Sequence, residues 1–335
     1  MDYRILELAG SPHENGRRLA RELVRVPSPF RRNPWEDDHD FLGACAAVLR
    51  SIHAPLWEEI AAFADALDLP PERGLFLRAA SIPQGCSVVA WRTSDGRVLV
   101  GRNYDFYVQM PTRHLLRTTV AGSFAHVGMN GGLVGGRYDG VNECGLFIGL
   151  HKVMADRAPQ YAPGVPYHLM PRLALDLCAT TSETISLFHE VPQLASFNYT
   201  VADKRGDLAR IECYPGLPIG VQRSDSVMAT TNHYDSAALI PTVGLRPTAA
   251  SRTREATLRN AVAHERGDPW VQTAQALRDH TAPLCCHKEF GTTLWSGVFD
   301  LTNERVAYAF GPPCTTEYVE YEWPVGGSQE SGIGN

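Results

Sequence analysis

The sequence predicts an α+β protein, and three observations carry that reading. Residues 1–85 read as helical. At Ser81-Ile82-Pro83-Gln84-Gly85 the pattern changes to compact apolar runs rich in β-branched and aromatic residues. Beyond that point strand signals and helix signals come in alternating pairs. Such blocks make packed layers, whereas a doubly wound parallel sheet needs strand and helix one for one.

In the leader, Ser11-Pro12-His13-Glu14 is a capping box with proline at the first helical position, and it opens a helix over Asn15 to Val26. A charged, proline-bearing connector, Pro27 to Asp40, follows. Phe41 to Ile52 is a second helix, rich in Ala and Leu. In the third, Leu56 to Leu67, residues Trp57, Ile60, Phe63 and Leu67 fall at helical spacing. Pro70-Pro71 breaks it, and Glu72 to about Ala80 is a short fourth helix. Cys86 to Arg92 then reads as a buried strand. Thr93-Ser94-Asp95-Gly96 is a turn, and Arg97 to Asp105 is the returning partner. Further strands are expected over Leu116 to Val120, Leu146 to Val153, Tyr199 to Ala202 and Leu208 to Tyr214. Helices are expected over Tyr167 to Cys178, Thr184 to His189, Ser251 to Glu265 and Trp270 to His280. A last hairpin joins Thr292 to Phe299 and Arg305 to Phe310, and the polar stretch from Gly326 frays.

Of the 335 residues 44% are hydrophobic and 20% charged, enough for a large core and too apolar for a disordered chain. Thirty-one Lys and Arg against 37 Asp and Glu give a net charge of −6. That excludes a generic nucleic-acid or anionic-membrane binder, which needs a basic excess. No apolar run approaches the length of a spanning helix. The start, Met1-Asp2-Tyr3-Arg4-Ile5-Leu6, lacks a basic segment followed by an apolar one, so the expectation is a cytoplasmic protein. Eight cysteines fall at 45, 86, 144, 178, 213, 285, 286 and 314, with no C-x-x-C pair. Most read as buried free thiols. Cys285-Cys286-His287 is the one local cluster that suggests a metal, but adjacent side chains do not readily both reach one ion, so no metal is expected.

Cys86 stands apart. If Asp95-Gly96 are the two central turn residues, Cys86 sits opposite Asp105 and Val88 opposite Asn103. Alternation then puts Asn103 and Asp105 on one face and Arg102 on the other. A thiol at a strand start beside a carboxylate and a guanidinium has the surroundings of a reactive cysteine; a buried thiol near a strand-end ion pair is the alternative. The preceding glycine adds weight. Cleavage of Gly85–Cys86 would give Cys86 a free α-amine with a pKa of about 8, able to act as base for its own thiol. Glycine also leaves the attacked carbonyl uncrowded.

These residues resemble a known family. Gly85-Cys86-Ser87, Asp95-Gly96 and Gly101-Arg102-Asn103-Tyr104-Asp105-Phe106 look like the opening of the mature chain in N-terminal-nucleophile hydrolases. The likeness is to the choloylglycine hydrolase superfamily and, within it, the isopenicillin-N acyltransferase-like branch. Gly140-Val141-Asn142-Glu143-Cys144-Gly145-Leu146 is similar to its G-x-N-E-x-G-L segment. Ala229-Thr230-Thr231-Asn232-His233 is similar to its T-N-H segment, and Ser251-Arg252 to its Ser-Arg pair opening a helix. Gly10-Ser11-Pro12-His13-Glu14-Asn15-Gly16 resembles the acyltransferase branch, whose long helical leader stays attached after cleavage. The matches come in family order and span nearly the whole chain; Ser87 stands where Thr is common.

The resemblance implies a four-layer αββα sandwich over residues 86–335, with residues 1–85 a helical pro-segment retained as a small chain. It makes Cys86 the nucleophile for self-cleavage after Gly85 and for attack on substrate. Arg102 and Asp105 would tune the Cys86 amine and thiol. Asn232 would donate to the oxyanion, helped by the Asn142 backbone N–H, and Arg252, with Ser251 at its N-cap, would add a charge. The implied substrates are small acyl amides or acyl thioesters with a linear, non-peptide C–N bond, the acyl group passing to water or an amine. No cofactor, metal, nucleic acid or membrane is implied; the small and large chains associate, and a homo-oligomer is compatible.

Each residue also has a structural reading. Asn142 could cap the turn before Gly145, Asn232-His233 could be a strand-end turn, and Ser251-Arg252 only a helix start. Two other functions stay open: an uncleaved Cys86–His233 transferase, and a non-catalytic binding module of the same fold.

Overall fold

The computed structural model describes residues 3–23, 35, 38–76, 85–107, 113–244, 248–288 and 290–326. The chain opens with β1 (Tyr3–Ala9), followed by α1 (Pro12–Leu23), α2 (His39–Ile52), α3 (Ala54–Asp65) and a 3-10 turn at Pro71–Leu75. Six strands follow: β2 (Gly85–Arg92), β3 (Val98–Tyr107), β4 (Arg113–Thr119), β5 (His126–Asn130), β6 (Asp139–Asn142) and β7 (Leu146–Lys152). After α4 (Leu169–Leu177) and α5 (Thr181–Glu190) come β8 (Phe197–Asp203), β9 (Leu208–Cys213), β10 (Gly220–Ser224) and β11 (Val227–Thr230). The helices α6 (Ala249–Val262) and α7 (Pro269–Ala276) precede β12 (His287–Lys288), β13 (Phe290–Asp300), β14 (Arg305–Ala309) and β15 (Val319–Tyr321).

The strands form two sheets. One has eight strands in the order β1-β4-β5-β6-β7-β8-β9-β10; the other runs β11-β2-β3-β13-β14-β15, with β12 beside β13. Helices α4 and α5 cover the outer face of the first, and α6 and α7 that of the second, while β2 faces β7 and β11 faces β8. The order of layers is therefore α, β, β, α, as expected. Their inner faces are joined by a buried core, in which Tyr104 stacks on Trp295 at 4.0 Å and Phe147 meets Phe299 at 4.8 Å. A buried ion pair, Arg102 Nε to Asp139 Oδ2 at 2.6 Å, bridges them.

The leader departs from the expectation of an all-helical segment. Tyr3–Ala9 is a strand that pairs in parallel with β4, its Leu6 and Leu8 buried and Ile5 and Glu7 exposed. That alternation has the strand period of two, and the edge of a sheet is what converts it into a strand. The capping box forms: the Ser11 N–H donates to Glu14 Oε2 at 2.9 Å and the Glu14 N–H to Ser11 Oγ at 3.3 Å. The expected helix end at Val26 and the region near Ala80 lie outside the described residues. Helix α1 packs on α3 so closely that a Cβ on Gly16 would stand 2.1 Å from the Glu59 carbonyl oxygen.

The β2–β3 hairpin is one residue out of the expected register. Its loop has three residues, Ser94-Asp95-Gly96, closed by the Thr93 N–H to the Arg97 carbonyl at 2.9 Å, with Gly96 at φ +89°. A type I turn followed by a left-handed glycine makes such a loop, where two residues had been expected. Cys86 therefore pairs with Tyr104, Val88 with Arg102, Ser87 with Asn103, and Gly85 with Asp105. One step of slip exchanges faces. Arg102 shares the inner face with Cys86, and Asn103 and Asp105 turn toward the helices. The short strands β5, β6, β10, β11 and β15 were not anticipated. Several are interrupted by glycine (Gly128, Gly140) or buried on both sides, so they carry no alternating signal.

Candidate active site at Cys86

Cys86 is the second residue of β2 and fully buried. Its backbone N–H donates to Asn232 Oδ1 at 3.0 Å, and its carbonyl accepts from Arg254 at 2.7 Å. Arg254 also donates to Ser87 Oγ (2.8 Å) and to Asn232 Oδ1 (2.8 Å). Two donors converging on Oδ1 fix the amide orientation, so Nδ2 faces the Lys152 carbonyl at 2.9 Å and, among the described residues, keeps one N–H uncommitted. Asn232 is held in turn by its own N–H to Ser251 Oγ (2.8 Å), a hydroxyl that also meets Thr231 Oγ1 and His233 Nδ1.

Burial pushes the Cys86 thiol up to about 11, against the opposing pull of the Arg102 guanidinium. Asp105 is pushed by burial up to about 7, although Thr293 Oγ1 donates to its Oδ1 at 2.7 Å and Arg254 and Arg102 favour its charge. Its carboxylate lies beside Gly85, where a Cβ would approach Asp105 Oδ2 to 3.0 Å. His151 rests against the Cys86 main chain with Nε2 3.0 Å from Thr200 Oγ1; burial first, then Arg102, Arg254 and Arg210, keep it neutral. Lys152, next along β7, is buried with Nζ 4.8 Å over the Phe197 ring, and desolvation brings its ammonium down to about 8.

Gly85, Cys86, Arg102, Asp105 and Asn232 are thus brought together. Two expected residues are not. Asn142 uses Oδ1 to cap the turn, accepting from Cys144 and Leu146 N–H (3.1 and 3.0 Å), and Nδ2 to bond the Leu175 and Cys178 carbonyls. It adjoins the Leu146 end of β7, whereas Lys152 at the other end touches Asn232. Six strand steps put roughly 20 Å between those ends. Arg252 is half exposed and pairs with Asp235 at 3.0 Å. Nor is Ser251 an N-cap, since α6 begins at Ala249 with Thr248 as its cap. The arginine at the site is Arg254, which sequence reasoning missed. The signal was there: a helix puts residue i+3, not i+1, on the face of Ser251. His233 does not face Cys86 through either ring nitrogen; Nδ1 meets Ser251 and Nε2 meets Glu255 at 3.0 Å.

Two facing sheets, antiparallel but for the β1–β4 pair, with helices outside both and a cysteine opening an inner strand of one, make the class of N-terminal-nucleophile hydrolase folds. The chain belongs to the acyl-coenzyme A:6-aminopenicillanic acid acyl-transferase family, whose profile matches residues 91–314, from within β2 onward. Among solved structures it is similar to penicillin V acylase from Agrobacterium tumefaciens (TM-score 0.54, 16% identity, 71% of this chain and 86% of that one). It is also similar to the Caenorhabditis elegans N-acylethanolamine-hydrolyzing acid amidase ortholog (0.49, 15%, 65% and 93%). A mutant conjugated bile acid hydrolase from Clostridium perfringens also matches (0.46, 14%, 71% and 97%). At these identities the likeness is one of fold. No curated protein sequence matches the chain. Among the described residues no helix is long and apolar enough to cross a membrane.

Proposed function

We propose that this member of an acyltransferase and amidohydrolase family is a self-processing cysteine enzyme with Cys86 as nucleophile. The observation that carries the reading is the grip on the Gly85–Cys86 bond. The nitrogen that cleavage would free is held by Asn232, the Cys86 carbonyl by Arg254, and a carboxyl titrating near neutrality lies beside Gly85. In self-cleavage, Asp105 accepts the thiol proton through water at the strand end as sulfur attacks the Gly85 carbonyl. The C–N bond breaks, the nitrogen takes up a proton, and the Gly85 acyl group rests on Sγ as a thioester. Water hydrolyses it, leaving a carboxylate at Gly85 and an α-amine and free thiol at Cys86.

In turnover, the amine takes the thiol proton and sulfur attacks the acyl carbon of a linear amide or thioester. The uncommitted Nδ2–H of Asn232 supports the oxyanion, a donation worth about 3 kcal/mol in the transition state. The leaving group departs protonated, and water or an amine takes the acyl group from Cys86. An uncleaved Cys86–His233 pair finds no support in the position of His233. Intact mass under denaturing conditions tests the proposal. Wild type should split into residues 1–85 and 86–335, with Cys86→Ala whole. Wild type that stays whole after long incubation would overturn self-activation.

A further inference from the structure

His280, Cys285, His287 and Cys314 come together from three separate segments: the turn after α7, the run into β12, and the loop after β14. One ligand atom from each lies within 4.8 Å of the others. His287 Nε2 is the centre of the set, 3.1 Å from Cys314 Sγ, 3.4 Å from Cys285 Sγ and 3.3 Å from His280 Nε2. A ring nitrogen can make one hydrogen bond, as donor or as acceptor, yet three polar atoms converge on this one. A cation among them resolves the conflict. Tetrahedral zinc, with Zn–S of about 2.3 Å and Zn–N of about 2.0–2.1 Å, sets its ligand atoms roughly 3.3–3.8 Å apart, close to what is seen.

We propose that these four side chains bind a zinc ion in a closed, structural Cys2His2 site. Four protein ligands leave no open position for chemistry, and two thiolates neutralise the ion. Binding releases the two thiol protons; nothing is oxidised or reduced. Cys286, which had made the cluster look implausible, takes no part. Cys285 lies in the bend before β12 and His287 opens the strand, and the bend brings Sγ to 3.4 Å from Nε2, while their partners come from separate segments. The site also reaches the catalytic region. The Cys286 N–H donates to Thr293 Oγ1 at 2.9 Å and the Thr293 N–H to the Cys286 carbonyl at 2.9 Å, and Thr293 in turn donates to Asp105. Pinning residues 285–287 therefore braces Asp105.

The test needs no substrate. Full-length protein, freed of any affinity tag, should carry about one equivalent of zinc by elemental analysis. After stripping with chelator it should take up cobalt with strong tetrahedral d–d bands and a sulfur-to-cobalt charge-transfer band. Cys314→Ser, a half-buried position, should lose most of the zinc, while Cys144→Ser should keep it. Three results would overturn the proposal. Wild type could bind neither zinc nor cobalt, Cys314→Ser could hold zinc as tightly as wild type, or metal-free protein could be two hydrogens lighter because Cys285 and Cys314 are joined as a disulfide.

Discussion

Around Cys86 the balance of burial against charge decides when the thiol reacts. With the Gly85–Cys86 bond intact, the thiol at about 11 is protonated at neutral pH. Its alkylation by iodoacetamide in slowly cleaving precursor should be slow at pH 7 and rise toward pH 11. Asp105, raised to about 7, is the group whose ionised form is needed as acceptor. Self-cleavage should therefore slow about tenfold per pH unit below 7 in a mass-resolved time course, and Asp105→Asn should remove that dependence along with most of the rate. Linkage gives the matching stability effect: a carboxyl raised in the fold stabilises below its unfolded pKa, and the contribution is lost as pH rises through about 7. Arg252 and Arg254, two of the three arginines of α6, separate cleanly. Arg254→Ala leaves the Cys86 carbonyl and Asn232 Oδ1 without their charged donor and should cost about 30- to 100-fold in cleavage rate. Arg252→Ala, at an exposed ion pair, should change it less than about twofold.

Elements set which residues meet. In β2–β3 a glycine in the left-handed region lengthens the turn by one residue, and that single step moves Arg102 to the face of Cys86 and Asp105 to the face of Arg254. In α6 the helical period makes Arg254 a neighbour of Ser251 and turns Arg252 away. At the β6–β7 turn Asn142 satisfies four main-chain groups, so Asn142→Ala should lower the unfolding free energy by about 1–3 kcal/mol while leaving turnover per folded molecule unchanged. Denaturant melts read beside activity would separate this from an oxyanion role. Helix α1 lies against α3 through a bare backbone contact, and Gly16→Ala forces them apart, at a cost of about 1–3 kcal/mol in the same melts.

Across the molecule, the leader is built into the catalytic layers. Strand β1 completes one edge of the eight-stranded sheet. Arg172 of α4 joins Glu59 of α3 at 3.1 Å and Asp176 at 2.8 Å, and Asp176 reaches His53 at 3.0 Å, all of them buried. After cleavage the two pieces should stay together through native size-exclusion and separate only in denaturant. Arg172→Met takes the arginine from two buried carboxylates, leaving Asp176 only its histidine neighbours His53 and His126, should cost about 3–5 kcal/mol, and should loosen that association.

The sequence by itself determined the layered α+β class, the hairpin at Asp95-Gly96, the nucleophile candidate and the family, because turn chemistry, capping and short motifs are local and survive in the order of residues. It left open what depends on distance in space. The extra turn residue reassigned every cross-strand neighbour, a sheet edge made a strand of Tyr3–Ala9, and Asn142 proved to lie a strand's length from Cys86. His280 and Cys314 joined Cys285 and His287 only through folding. Those were decided by the tertiary structure, because register and long-range packing are fixed by which buried faces fit together and leave no mark in adjacent residues.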